Sequence, residues 1–207
     1  MDGAGQQTTD TRNISTTVRR TVAIVALANL AYFCVEYAVA LAIGSVSLFA
    51  DSIDFLEDAS INLLILVAFG WSAARRRLVG FVLAALILMP GIAALWTVYL
   101  KFYDPSVPEP FALTVTAAGA FAVNLMCALL LARTRHQGGA LMTAAFLSAR
   151  NDVAANVAII AAGLATFALG SMWPDIVVGL AIAALNATSA WEVYEAATEE
   201  TDEHPRS

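Results

Sequence analysis

Two short runs of oxygen-bearing side chains repeat one spacing in this 207-residue chain: Asp54, Asp58 and Asn62, and then Ser148, Asp152 and Asn156. Residues four apart on an α-helix stack on one face, so each run presents its oxygens as a column. Two carboxylates at that spacing repel each other, and the arrangement is tolerable when a proton or a cation sits between them. Carboxylate and hydroxyl oxygens are hard donors. Asp54 and Asp58 from one helix, Asp152 from another, and a hydroxyl such as Ser148 or a water make a four-coordinate oxygen site. The chemistry on offer is the reversible binding of a positive ion.

The elements that position these columns are apolar. The chain is 59% hydrophobic and 14% charged, with a mean hydropathy of +0.72, values outside the range of soluble domains. Its apolar blocks of about 20 residues match the helix length that crosses ~30 Å of hydrocarbon. The pattern predicts an all-α membrane protein with six transmembrane helices, at about residues 20–43, 46–71, 78–102, 111–132, 141–169 and 174–194. Gly44 and Ser45 form a tight turn, DPSVPEP (104–110) a Pro-broken outer loop, and GSMWP (170–174) the last outer turn. Residues 1–17 are expected to be a disordered cytoplasmic N-terminus, 18–195 the six-helix domain, and 196–207 an acidic cytoplasmic tail. The first apolar block is too long for a cleavable signal and reads as an uncleaved anchor.

Basic residues in short loops favour the cytoplasmic side. Arg19, Arg20, Arg75, Arg76, Arg77, Arg133 and Arg135 fall on one side of a six-span plan, and Lys101 is the basic residue of the other. Trp71, Trp191 and Tyr194 fall at the inner helix ends, and Trp96, Tyr99, Tyr103 and Trp173 at the outer ones, where amphipathic rings prefer the interface. Both termini are therefore expected in the cytoplasm and the chain in an inner (plasma) membrane. Helices 2 and 5 then run in opposite directions, and Asp58 and Asp152 both fall near the midplane. The matching columns are compatible with an inverted 3+3 repeat and equally with a chance echo.

An ionisable side chain in the hydrocarbon is costly unless neutralised, paired or solvated, which makes each one a functional candidate. Asn62, Ser148 and Asn156 also admit a purely structural reading as hydrogen bonds between helices. Arg150, two residues from Asp152, points to the other side of helix 5 and is expected to pair with Glu57 or Glu36. Asp51 reads as an interfacial residue or as an attractor of cations to the entrance, and Asn29 and Asn124 as helix contacts or path-lining residues. His136 and His204 lie outside the spans. Small-residue stretches (AAGAFA, AAGLA, GLAIAAL) permit close approach by lipid, by the same chain or by a second protomer. Cys34 and Cys127 sit in apolar blocks and read as free thiols. The net charge of −6 argues against nucleic acid. The sequence has no HExxH pair, no G-x-S-x-G elbow and no His in a span, so no enzyme is expected.

The stretches GSVSLFADSIDFLEDASINLLILV (44–67) and SARNDVAANVAIIAAG (148–163) resemble the second-helix and fifth-helix signatures of the cation diffusion facilitators, in the right order and spacing. A Glu in helix 1, Glu36, fits as well. The resemblance implies a homodimeric transporter that exports a divalent transition metal in exchange for protons by alternating access. Its tetrahedral site would comprise Asp54, Asp58, Ser148 and Asp152, with no prosthetic group and with zinc, manganese, iron or cobalt as cargo. Two features depart from the family. Ser148 stands where zinc-transporting members commonly carry His, which favours a harder ion such as manganese or iron, and the family's usual cytoplasmic metal-binding domain does not follow helix 6. A passive cation channel and a non-transporting metal-binding scaffold remain as alternatives.

Overall fold

The computed structural model describes residues 3–67, 92, 95–103, 105–134 and 139–185. Among these, every regular element is a helix: α1 (Gly3–Ile43), α2 (Val46–Val67), α3 (residues 95–103), α4 (Pro110–Thr134), α5 (Gly139–Leu169) and α6 (Trp173–Leu185). The first part of the expected third helix, the Arg75–Arg77 and Arg135 loops, Trp71, Trp191, Tyr194, both histidines and the acidic tail lie outside the described residues.

Among the described residues, three helices are long and apolar enough to cross a bilayer, at Thr16–Ile43, Pro110–Thr134 and Ala145–Leu169. At 22 residues, α2 has comparable reach, about 33 Å at 1.5 Å per residue. It carries Asp51, Asp54, Glu57 and Asp58, which lower its hydropathy. The first helix departs from expectation by beginning at Gly3 and taking in polar residues expected to be disordered. Extending an existing helix adds a hydrogen bond per residue without a new nucleation cost, and no proline interrupts this stretch.

The exterior is apolar. Leu27, Leu41, Phe111, Phe167 and Leu169 are exposed, whereas Asn29, Glu36, Asp51, Asp58, Asn124 and Asn156 are buried. A bundle with an apolar skin and polar groups inside is matched to hydrocarbon, not to water. The interior is layered along its length. One apolar cluster joins Ala40, Val46, Leu48, Phe49, Leu113, Ala117, Ile159 and Ile176; the other joins Val22, Val25, Cys127, Leu131, Ala145 and Ala149. The buried acids and amides occupy the band between them.

Turn chemistry sets the helix ends. Gly44 (φ 63°) and Gly170 (φ 59°) adopt the left-handed conformation that glycine tolerates at no steric cost. Ser45 N donates to Ala40 O at 3.1 Å and Gly170 N to Thr166 O at 2.9 Å, which satisfies carbonyls left over at the ends of α1 and α5. Glu109 caps α4 by accepting from the backbone N–H of Phe111 at 3.0 Å, with Pro110 as the first helical residue.

The start of α2 is capped from another helix. Asp175, in the first turn of α6, accepts from Val46 N (2.8 Å), Ser47 N (3.1 Å), Ser45 Oγ (2.7 Å) and Ser47 Oγ (2.7 Å). Lys101 of α3 stands 3.6 Å from the same carboxylate and donates to Ser106 O at 3.1 Å. Lys101, expected among the loops opposite the arginine-rich side, is thus buried, because its charge is matched by Asp175. Exposed Trp96, Tyr99, Tyr103 and Trp173 gather at this end of the bundle, with Trp96 stacked on Tyr99 at 5.2 Å and Phe102 edge-on to Trp173 at 6.3 Å.

Small residues let the backbones close up within the chain. A Cβ on Gly179 would meet Ser47 N and Val46 C at 2.7 Å, one on Gly119 would strike the Tyr32 hydroxyl, and one on Gly163 the Thr114 hydroxyl. The three small-residue stretches therefore serve α6 against α2, α4 against α1, and α5 against α4. Replacing Gly179 with Ala is expected to destabilise the bundle by about 1–3 kcal/mol, because backbone rather than a mobile side chain must give way. Asp175→Ala strands Lys101 and the first N–H groups of α2 and is expected to cost about 3–5 kcal/mol. Thermal unfolding of the detergent-solubilised variants checks both; an unchanged midpoint for Asp175→Ala would contradict the capping role.

Candidate functional site

The columns predicted from spacing face one another across α2 and α5. Asn156 Nδ2 donates to Asp51 Oδ2 at 2.6 Å, and Ser148 Oγ donates to Asp58 Oδ1 at 2.9 Å. Numbers rise along α2 as they fall along α5, so the two helices are antiparallel and in register over two turns.

The half of the band nearer the Val22–Ala149 cluster centres on Asp58. Besides Ser148, its carboxylate receives the Asn29 amide at 3.5 Å, and the Asp152 carboxyl lies alongside it. Cys127 Sγ approaches Asn29 Oδ1 at 3.8 Å, so α1 and α4 also reach the carboxylate. Both cysteines are free. Asn62 donates to the backbone oxygen of Asp58 at 2.7 Å; the end of the first column turns back onto its own helix and does not join the carboxylates. Asp54 is partly buried one turn from Asp58, within electrostatic reach of Asp152 and Glu36. Asp58, Asp152 and Ser148 are therefore in contact, and Asp54 stands next to them. Among the described residues, no three His, Cys, Asp or Glu side chains are close enough together to enclose a metal ion.

The other half of the band holds residues that spacing alone undervalued. Asp51, expected at an interface, is fully buried. It lies three residues before Asp54 and seven before Asp58, hence on the same helix face, a signal the sequence carried. Glu36 of α1 is also fully buried, and its carboxyl faces that of Asp51. Asn124 Nδ2 donates to Asn156 Oδ1 at 3.3 Å, which ties α4 into the same network. Tyr32 turns its hydroxyl away, to Thr116 O at 2.6 Å.

Arg150 pairs with neither Glu57 nor Glu36. It is exposed, and its guanidinium reaches the Asn151 side-chain oxygen at 3.5 Å. A two-residue step turns a helical side chain by about 200°, which takes Arg150 off the interior face, and its long stem lets the charge seek a polar surface. Asp175 had no signal: an acid after Trp-Pro looks like a residue that serves its own helix dipole, and nothing local points to α2, about 130 residues earlier.

What the arrangement can do follows from its donors. Carboxylates from antiparallel helices, with a hydroxyl on one of them, concentrate negative potential in a buried band, which is chemistry suited to a cation.

The family model for the cation efflux transmembrane domain matches residues 22–199. A comparison with curated proteins returned no match. The matched span contains α2, α5 and every acid of the buried band. The chain belongs to the cation efflux family, the cation diffusion facilitators, and is a membrane protein that transports cations.

Proposed function

We propose that this protein exports a divalent transition-metal cation from the cytoplasm in exchange for protons, and that Asp54, Asp58 and Asp152 bind the cargo with Ser148 or a water as fourth ligand. The single observation that carries this reading is the junction of Asp58 with Ser148 and Asp152 across antiparallel α2 and α5. Two carboxyl groups side by side in a desolvated band attract a positive ion strongly. The charge of a bound metal draws in Asp54, one turn away on the same face, and completes a set of hard oxygen donors. With Ser148 as donor, manganese or iron is the preferred cargo over zinc, and cobalt lies between.

Alternating access fits the layered interior. The two apolar clusters bracket the acids, and rocking the bundle loosens one seal while the other stays closed. Metal and protons compete for the same lone pairs, so metal affinity falls as pH falls, and an inward proton gradient drives metal outward. In this reading both termini face the cytoplasm, the bilayer is the inner membrane, the working unit is a homodimer, and the cargo is the bound metal itself.

Proteoliposomes with an imposed pH gradient test the proposal across Mn, Fe, Co and Zn. Wild-type protein is expected to accumulate metal against its gradient; flux indifferent to the pH gradient would point instead to a passive channel. Asp58→Asn is expected to lower transport at least about tenfold, since losing a charged ligand removes more than about 1.4 kcal/mol of binding. Transport by this variant at the wild-type rate would refute the site. Ser148→His adds a borderline nitrogen donor and is expected to shift the preference from manganese toward zinc, read as the ratio of their uptake rates.

A further inference from the structure

The metal carboxylates leave a second pair of buried acids unexplained. Glu36 and Asp51 face each other from α1 and α2 with neither residue exposed. Asp51 Oδ2 accepts from Asn156, but Asp51 Oδ1 and both oxygens of Glu36 receive no donor. The groups around them supply none either: Tyr32 on α1 is committed to Thr116, Asp54 on α2 and Asp152 on α5 are acids, and Asn124 on α4 is spent on Asn156. Lys101, the buried base among the described residues, is bound to Asp175 at the start of α2. Two ionised carboxylates facing each other with no base beside them among the described residues carry an uncompensated desolvation cost.

A metal ion is the poorer occupant. Asn156 turns its N–H toward Asp51 and spends its carbonyl on Asn124, so the nearest amide offers a donor where a metal requires a lone pair. A proton needs no such ligand. Placed on one carboxyl, it turns an acceptor-to-acceptor contact into a charge-assisted O–H···O hydrogen bond, and the pair then carries one negative charge, which the Asn156 amide meets. We propose that Glu36 and Asp51 form a proton-binding site that holds one shared proton, separate from the Asp54, Asp58 and Asp152 set. The pair lies between the Ala40–Ile176 cluster and the metal carboxylates. Asp51 is one turn from Asp54 on the same face, so loading or emptying this site changes the potential felt by the cargo. In transport, the proton is one of those exchanged for metal; that role rests on the proposed exchange function, whereas the site itself does not.

Infrared difference spectroscopy of the full chain in liposomes separates the two. At neutral pH the wild-type protein with Mn2+ bound, which displaces protons from Asp54, Asp58 and Asp152, is expected to show a protonated-carboxyl C=O band that shifts in D2O, and this band is expected to be lost in both Glu36→Gln and Asp51→Asn. A wild type without the band, or a band retained at full intensity in both variants, overturns the site. Should one variant not fold, the wild-type spectrum and the other variant still decide. In Mn2+ transport with a pH-sensitive dye, the number of protons exchanged per Mn2+ is expected to fall by about one in the folded variants. If wild-type liposomes move no Mn2+ while the band is present and mutation-sensitive, the exchange reading fails and the proton site stands.

Discussion

Carboxyl groups placed in a low-dielectric interior dominate this structure. Glu36, Asp51, Asp54, Glu57, Asp58 and Asp152 all lie in one band between two apolar clusters, while the buried base among the described residues is tied to Asp175 elsewhere. A soluble enzyme solvates such acids, and a structural protein pairs them with arginine. Here hydroxyl and amide donors meet part of the demand: Ser148 and Asn29 on Asp58, Asn156 on Asp51. Those donors fix where the carboxylates stand without cancelling their charge. In the proposed transport function, the remainder drives the binding of positive ions.

That demand requires a rigid frame, and the frame is built from backbone chemistry. The α2 helix is the element under most electrostatic stress, because its acids repel one another along one face. Its first turn is gripped by Asp175, whose carboxylate also favours the positive end of the α2 dipole. Gly179 lets α6 lie directly on that turn. Lys101 joins α3 to the same point, so three elements meet where α2 begins.

Packing between helices is made inside the chain at all three small-residue stretches. Gly119, Gly163 and Gly179 each bring a backbone against a neighbour's hydroxyl or main chain. Where lipid is as apolar as the side chains, this closeness, and not expulsion of water, holds helices together. The polar chains Cys127–Asn29–Asp58–Ser148 and Asn124–Asn156–Asp51 add cross-links that run through α4, α1, α2 and α5.

The sequence by itself determined the class and which oxygen-bearing side chains share a helix face. Apolar blocks of spanning length can satisfy their backbone groups in hydrocarbon only as helices, and a four-residue spacing puts Asp54 with Asp58, and Ser148 with Asp152, on single faces whatever the tertiary context. The glycines at 44 and 170 announced their turns for an equally local reason. Tertiary structure alone decided which faces meet. It moved Asp51 from a presumed interface into the core opposite Glu36, turned Asn62 back onto its own backbone, sent Arg150 outward, and set Asp175 on a helix about 130 residues away. Periodicity reports the direction of a side chain about its own axis and nothing about the partner that waits there. Contacts between distant segments are fixed by how all the helices pack at once, and that information resides in no single stretch of the chain.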